Sequence, residues 1–540
     1  MTIFRWFKTA KSALGNPGLD PIRSVAGQPN ANPQQPSDLE EAIDAPISME
    51  QRIGWYREQF DRCSDVVYFS FVAGAGTACS VIFIQGIINE ETLHRQIIEA
   101  AMTIRSGESS EQFVRQLFEG RRLPVSSMDI TASLTEGLRR ILLGEVLLIV
   151  DGDARMILFP IEKFAMRAVS NAENEVVIRG PRDAFVEDIS TNLTLLRRRL
   201  KSPALKTETY FFGKHTQTKV LITYIDGICM EGLVDEVKHR LSRIRIDGVL
   251  GSSYIQEAVA DNPFSPFPQT MYTERPDVVA GALLEGRVAI FVDSTPMQII
   301  APVTFYMMMQ SAEDYYQNYI SATWIRWIRY LYLLISLLLP SLYVAVTTYH
   351  PEMLPANLLI TVAGSRDIVP FPAIVEAFLM EISFEAIREA TVRMPKQIGQ
   401  AISVIGALVI GTAAVQAGIV SGAMVIIVSI TGIASFIIPH YELGLALRVL
   451  RFPIMIMAGV FGLLGIVTGI ILTFLHLVSL RSFGTPYLTP TAPLVLADWK
   501  DVAVRAPWWR MKARPHLYQT DHEKREHFGK PKLPEEEGSS

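Results

Sequence analysis

Cysteine is scarce in this chain of 540 residues: only Cys63, Cys79 and Cys229, widely spaced and odd in number. They form no CxxC pair, which excludes a disulfide framework and a thiolate zinc site. An excess of one charge is also missing. Fifty Lys and Arg against 55 Asp and Glu leave a formal net charge of −5, so this is no globally basic binder of nucleic acid. Catalytic signatures are absent as well. Gly74-Ala-Gly76 follows a strand-like run, but Cys79 stands where a dinucleotide fingerprint needs its third glycine. GxxxxGK(S/T), HExxH and GxSxG do not occur, and His215, His239, His350 and His440 have no partner at ligand spacing. The expectation is a protein that is not an enzyme and has no cofactor or metal. The basic start Met1-Thr-Ile-Phe-Arg-Trp-Phe-Lys is not followed by the apolar stretch of a secretory signal. A soluble front half made without one should stay in the cytoplasm.

Apolar residues, by contrast, are plentiful at 49% of the chain, with a mean hydropathy of +0.24. They concentrate in long runs between Leu331 and Leu480, whereas the first 320 residues have a mixed, globular composition. The fold class expected is an α/β N-terminal cytosolic domain of two subdomains, followed by an all-α polytopic membrane domain of four to five spans. The divisions read as 1–47, a disordered lead-in rich in Pro, Gln and Asn; 48–170 and 171–315, the two subdomains; 316–480, the membrane domain; and 481–540, a basic cytosolic tail. Ser48 and the residues after it read as a capped helix start. Val146–Val150 and Ala154–Phe159 around Asp151-Gly152-Asp153 give a hairpin signal. Val176–Ile178 reads as a short strand and Phe185–Leu200 as a helix.

A membrane span needs about 20 apolar residues. Tyr330–Val346, broken by Pro340, Ile402–Ile419, Met424–Ile438 and Ile454–Leu477 qualify, the last as the longest. Gly418 with Gly422, and Gly465 with Gly469, supply small-residue stripes for close helix packing. Phe371–Arg393 stands apart because it carries Glu376, Glu381, Glu385 and Glu389, the last three on one helical face. A carboxylate in hydrocarbon costs roughly 2.5–3.5 kcal/mol on insertion scales, so that face must meet water, protein or an ion path. Two readings stand: a surface amphipathic helix with acids paired to Arg388 and Arg393, or a helix lining a pore. In the second, Glu376 and Glu381 are the stronger pore candidates, since neither has a positive neighbour at helical spacing. We expect four full spans with this helix partly inserted, which returns the tail to the cytoplasm.

Two soluble stretches are denser in charge than loops need to be. One is Arg179-Gly180-Pro181-Arg182-Asp183-Ala184-Phe185-Val186-Glu187-Asp188, leading into Asn192 and the Arg197–Arg199 triplet, and the other runs from Tyr272 through Arg275, Glu285 and Arg287 to Pro296. Arg182, Asp183, Glu187, Arg275, Glu285 and Arg287 are the candidate subdomain or subunit contacts. Together with PFPAIVEAFLMEISFEAIREATVRMPKQIGQAISVIGALVIGTAAVQAGIVS and IASFIIPHYELGLALRVLRFP, these stretches resemble the A subunits of spore germinant receptors, the GerA family. The resemblance covers roughly 48–480; a related sporulation protein, stage V protein AF, shares the architecture. It implies a subunit of the inner spore membrane of an endospore former. Its implied partners are a transporter-like B subunit that binds nutrient, a lipoprotein C subunit, and further copies of itself in a ring of five around an ion path. The function so implied is a nutrient-gated cation channel that triggers germination, or else a scaffold that relays the signal without conducting.

Overall fold

The computed structural model describes residues 43–103, 110–120, 123–125, 127–162, 172, 174–230, 232–393, 409–515 and 525. Most of the expected lead-in lies outside them. Residues 44–47, placed in that lead-in, are instead tied down: Asp44 bridges Ser133, and Ala45 N donates to Ala132 O at 2.7 Å. Helix α1 (Met49–Gln59) follows with Ser48 at its N-cap, although the Ser48 hydroxyl makes no capping bond. It is anchored from inside, through Arg52 Nη2 on Val150 O at 2.7 Å and Tyr56 OH on Leu134 O at 3.0 Å.

The first sheet holds β1 (Val66–Val72), β2 (Ala78–Ile84), β3 (Asp129–Thr131), β4 (Val146–Val150) and β5 (Met156–Phe159) in the order β1-β2-β4-β5-β3. Its helices are α2 (Ser110–Phe118) and α3 (Leu134–Leu142), with a further helical stretch from Glu90 to Thr103. After α4 (Ile189–Arg199) comes a second sheet of β6 (Leu205–Phe212), β7 (Thr218–Ile225), β8 (Met271–Thr273), β9 (Val288–Val292) and β10 (Gln298–Ala301). Its order is β6-β7-β9-β10-β8, and α5 (Leu233–Ser242), α6 (Ser252–Val259) and α7 (Pro276–Leu284) cover it. Every pairing in both sheets is antiparallel. The hairpin at Gly152 forms as expected, with Val146 opposite Phe159 and Ile149 opposite Met156. The expected strand at Val176–Ile178 does not form; both side chains are exposed in an irregular strap.

The two sheets repeat one design. Residues 129–159 match 271–301 element for element without a gap: a three-residue edge strand, a nine-residue helix, then strands of five and four residues. Phe185 N donates to Glu274 O at 2.7 Å, repeating the bond from Ala45 to Ala132. The junction between the halves is polar. Asp65 and Arg197, both buried, form a bidentate pair at 2.7 and 2.9 Å, and Thr207 Oγ1 donates to Asp65 at 2.8 Å.

Among the described residues the apolar section contains α8 (Tyr319–Tyr349), α9 (Ala356–Arg366), α10 (Ala373–Arg393), α11 (Gly422–Phe436), α12 (Tyr441–Phe461) and α13 (Leu463–Ser479), with a short helical stretch at 409–416; the first part of the expected span Ile402–Ile419 lies outside the described residues. Two of these, α8 and α12, are long and apolar enough to cross a membrane. Pro340 does not break α8, which continues through it. The expected long span Ile454–Leu477 is two helices. Gly462, with φ 61° and ψ −138°, sits in a conformation that side chains rarely adopt, and it turns the chain back beside Tyr349 and His350. Side-chain contacts fix the directions. Glu442, at the start of α12, accepts from Gln256 Nε2 at 3.2 Å, and His476, near the end of α13, meets Ser265 Oγ at 2.8 Å. At the opposite end Tyr349 OH donates to Gly459 O and Val460 O. Thus α8 and α12 run away from the soluble half and α13 returns to it.

The segment after α13 stays there. Strands β11 (Arg481–Ser482) and β12 (Thr485–Pro486) form a small hairpin. Ser482 Oγ accepts from Val303 N at 3.0 Å and donates to Gln269 O at 2.6 Å, while Phe305 N donates to Tyr487 O at 2.9 Å. One buried cluster therefore joins Phe185, Phe291 and Met308 of the second subdomain to Leu337, Leu447 and Leu477 of the helices and Tyr487 of the tail.

Candidate functional site

Helix α10 packs against α11 and α12 from Ile374 to Arg388. It lies antiparallel to α12: a side chain at Gly459 would strike Ile374, the tilted rings of Phe378 and Phe452 lie 5.7 Å apart, and Glu381 and Glu385 reach Arg451 and Arg448. It lies parallel to α11, with Phe384 against Gly432 and Arg388 Nη2 on Ser435 Oγ at 2.8 Å.

The four carboxylates have four different environments. Glu376 is buried, and its Oε1 accepts from the Ser421 backbone N and hydroxyl, both at 2.5 Å, with Arg366 Nε 3.9 Å from the other oxygen. Glu381, also buried, pairs with Arg451 Nη1 at 2.5 Å. Arg451 Nε donates at 2.8 Å to Ser336 O. That carbonyl lies four residues before Pro340, whose ring nitrogen cannot donate the helical bond, so Arg451 supplies the missing donor. Glu385 is shared by Arg388 at 3.0 Å and Arg448 at 3.2 Å, and Glu389 holds Arg393 on the surface. Glu376 and Glu381, expected as pore candidates because α10 offers them no positive neighbour, are thus both engaged within the subunit. Their partners come from other helices and the loop at Ser421, contacts that spacing within one helix does not reveal. The exposed stripe of α10 is Val375, Leu379, Ile382, Ala386, Glu389 and Arg393, apolar for four positions and charged at the soluble end.

The glycine pairs also differ. A side chain at Gly465 would collide with the Met457 backbone, and one at Gly469 would press on Met457 Cε and Ile454, so α13 packs tightly on α12 there. Gly418 and Gly422 form no such stripe. Gly418 lies at φ 66° in the link before α11, next to Ile368, and Gly422 faces open space.

In the soluble half, Arg275 is buried within the second subdomain and is not at a boundary. It donates to Glu175 O at 3.2 Å and Pro181 O at 2.9 Å and pairs with Asp277 at 2.7 Å, pinning the strap that contains Gly180. Arg287 is buried against Met307 and Glu285; Asp183 pairs with Arg199; Glu285 also takes Arg525. Arg182 and Glu187 are exposed, their carbonyls accepting from Ala172 and Ser294. Asp65, Arg197, Arg62 and Asp226 join the subdomains; Arg197 belongs to the arginine triplet that ends the first charged stretch, whereas the other three were not anticipated. Nor was the network at the start of α8, where buried Asp314 receives Arg326 at 3.0 Å and Arg329 at 2.7 Å, and Arg326 reaches Asp501 in the tail at 3.1 Å. The only sequence signal was two arginines at the mouth of an apolar run, which also suits an ordinary membrane flank.

A large soluble α/β half built onto an apolar bundle with buried, internally paired charges defines the class: a membrane protein with a substantial extramembrane domain. The chain belongs to the family described as Bacillus/Clostridium GerA spore germination protein, which it matches over residues 55–517. It is 44% identical over 483 residues to the uncharacterized membrane protein YfkQ of Bacillus subtilis, covering 89% of this chain and 94% of that one. It is 42% identical over 490 residues to spore germination protein KA of the same organism, covering 90% and 89%. To spore germination protein GerLA of Bacillus cereus it is 37% identical over 450 residues, covering 83% and 91%. Among solved structures it is similar to the N-terminal domain of the A subunit of the Bacillus megaterium spore germinant receptor GerK3. There the identity is 30% and the TM-score 0.39, with 49% of this chain and 99% of that one covered.

Proposed function

We propose that this protein is the A subunit of a germinant receptor, an oligomeric, nutrient-gated cation-conducting element of the spore inner membrane. In this reading the chain crosses the membrane an even number of times, α10 included, with the soluble half and the tail on the cytosolic side. Its partners are a B subunit, a C subunit and further copies of itself, in a ring of five. The observation that carries the conducting role is the exposed stripe of α10. Its carboxylates at 376 and 381 are used up inside the subunit, so a ring would present Val375, Leu379, Ile382 and Ala386 to its axis, with the Glu389–Arg393 pair at the cytosolic mouth. An apolar constriction gates by dewetting, and charged side chains ringing a pore mouth set which ions enter. The scaffold reading has its own support: Glu381, Glu385 and Arg451 act as packing elements between α10, α12 and α8.

Cation flux from reconstituted oligomers separates the two. Ile382→Ser should wet the constriction and raise the basal flux several-fold without nutrient. A Glu389→Gln variant should lose preference for cations over anions. If oligomers carrying either substitution pass no ions under any activated condition, the chain is a scaffold.

A further inference from the structure

The first turns of α8 expose Ile320, Trp324 and Trp327, and the stripe continues upward as Leu331 and Leu334. The tail is fastened beside those turns. Arg505 N donates to Thr323 Oγ1 at 3.0 Å, Trp327 Nε1 to Ala503 O at 2.8 Å and Tyr330 OH to Val502 O at 3.3 Å, while Trp509 meets Tyr319 edge-on at 5.9 Å. A segment so firmly held would ordinarily turn its apolar side chains inward. Here Leu494 is 65% exposed, Leu496 75%, Val504 44% and Trp508 44%. Arg510 and Lys512 are exposed alongside.

We infer that residues 494–512 form an interfacial platform that beds in the cytosolic leaflet, its apolar side chains in the acyl boundary and Arg510 and Lys512 on anionic phospholipid headgroups. Trp and Tyr favour that depth because their rings are apolar with one polar edge. Val504 stands between Ala503, which holds Trp327, and Arg505, which holds Thr323, so the exposed apolar surface of the tail adjoins that of α8 there, which points to lipid as the common cover. A protein partner covering the same surface would leave two cations to be matched by acids on its side; anionic lipid supplies that charge directly. Each Lys or Arg near an anionic leaflet contributes enough to raise lipid affinity about fivefold. The proposal rests on α8 being a span, and the test keeps the two apart.

Full-length protein in nanodiscs made with bromine-labelled phosphatidylcholine and phosphatidylglycerol is compared with Trp508→Phe and Trp324→Phe variants by tryptophan fluorescence. The fluorescence difference due to Trp508 should be quenched by the bromolipid, as should that due to Trp324. Arg510→Gln with Lys512→Gln should lower the phosphatidylglycerol retained after detergent exchange by roughly 25-fold in affinity, with an unchanged melting temperature. If Trp324 is quenched but Trp508 instead responds to aqueous acrylamide, or to neither quencher because a protein covers it, the platform is wrong and the span stands. If neither tryptophan meets lipid, the span reading itself fails. Unchanged phosphatidylglycerol retention in the charge variant would overturn the headgroup contact.

Discussion

Arg451 shows how one side chain can serve two helices at once. Its guanidinium completes the helical bond that Pro340 cannot make and neutralises Glu381, so α8, α10 and α12 meet at a single buried group. Breaking such a pair by removing one charge leaves the other uncompensated and costs about 3–5 kcal/mol, whereas removing both can be nearly neutral. Glu381→Gln is therefore expected to reduce the amount of assembled protein, and Glu381→Leu with Arg451→Met should recover much of it. Membrane abundance and detergent melting temperature check this. Normal abundance of Glu381→Gln would mean that the pair carries no packing role. The same logic applies in the soluble half, where burial would raise the Asp65 carboxyl but the Arg197 guanidinium outweighs it and holds it below the usual range.

Among the elements, the strap around 174–183 combines tight anchoring with a titratable hold. Glu274 accepts from the backbone of Asn174 and Glu175, at 2.6 and 2.8 Å, and the Glu175 side chain accepts from Thr273 Oγ1 at 2.6 Å. Burial, with the Glu274 charge adding to it and the Thr273 hydroxyl opposing, pushes Glu175 up to about 7. Its ordinary value is about 4.5. Between those values the folded strap holds a proton that the unfolded chain has released, so stability falls as pH rises through that window. The melting temperature should decline from pH 4.5 to 7 more steeply in the native protein than in Glu175→Gln. Equal slopes would show that Glu175 does not hold the strap. Gly180, in the same strap, lies against the Tyr316 ring, and Tyr316 OH donates to Asp277 at 2.7 Å. The strap thus touches the chain three residues before α8 begins.

At the scale of the molecule, the two subdomains are built alike but housed differently. The first has a core of its own, from Phe71 to Ile161. The second shares its core with helices and tail, so Val303 and Met308 are covered in part from outside the soluble half. Residues 44–310 produced alone should fold, but with a lower melting temperature and with dye-binding apolar surface on the second subdomain. A peptide of residues 480–515 should bind that fragment and reduce the dye signal; no effect of the peptide would show that the tail contributes nothing to that core.

The sequence by itself determined what depends on neighbours along the chain. Two apolar, β-rich runs about a turn dipeptide set the Gly152 hairpin, the pattern over Phe185–Leu200 set the helix there, and long apolar runs set the division between soluble and membrane-type halves. Its long motifs pointed to the GerA family, to which the chain belongs. What it could not determine were contacts between residues far apart in order. The internal repeat leaves a short trace in the chain, LLGEVLLIVD at 142–151 against LEGRVAIFVD at 284–293, but its full extent lies in element lengths and pairing order and shows only once the sheets are assembled. The break at Gly462 hides inside a run apolar enough to read as one span, because hydropathy does not register a backbone angle. The fate of the glutamates was decided by α12 and the Ser421 loop. A carboxylate spaced for a pore and a carboxylate spaced for a buried arginine look the same along the chain, and only the tertiary structure brings Arg451 within reach.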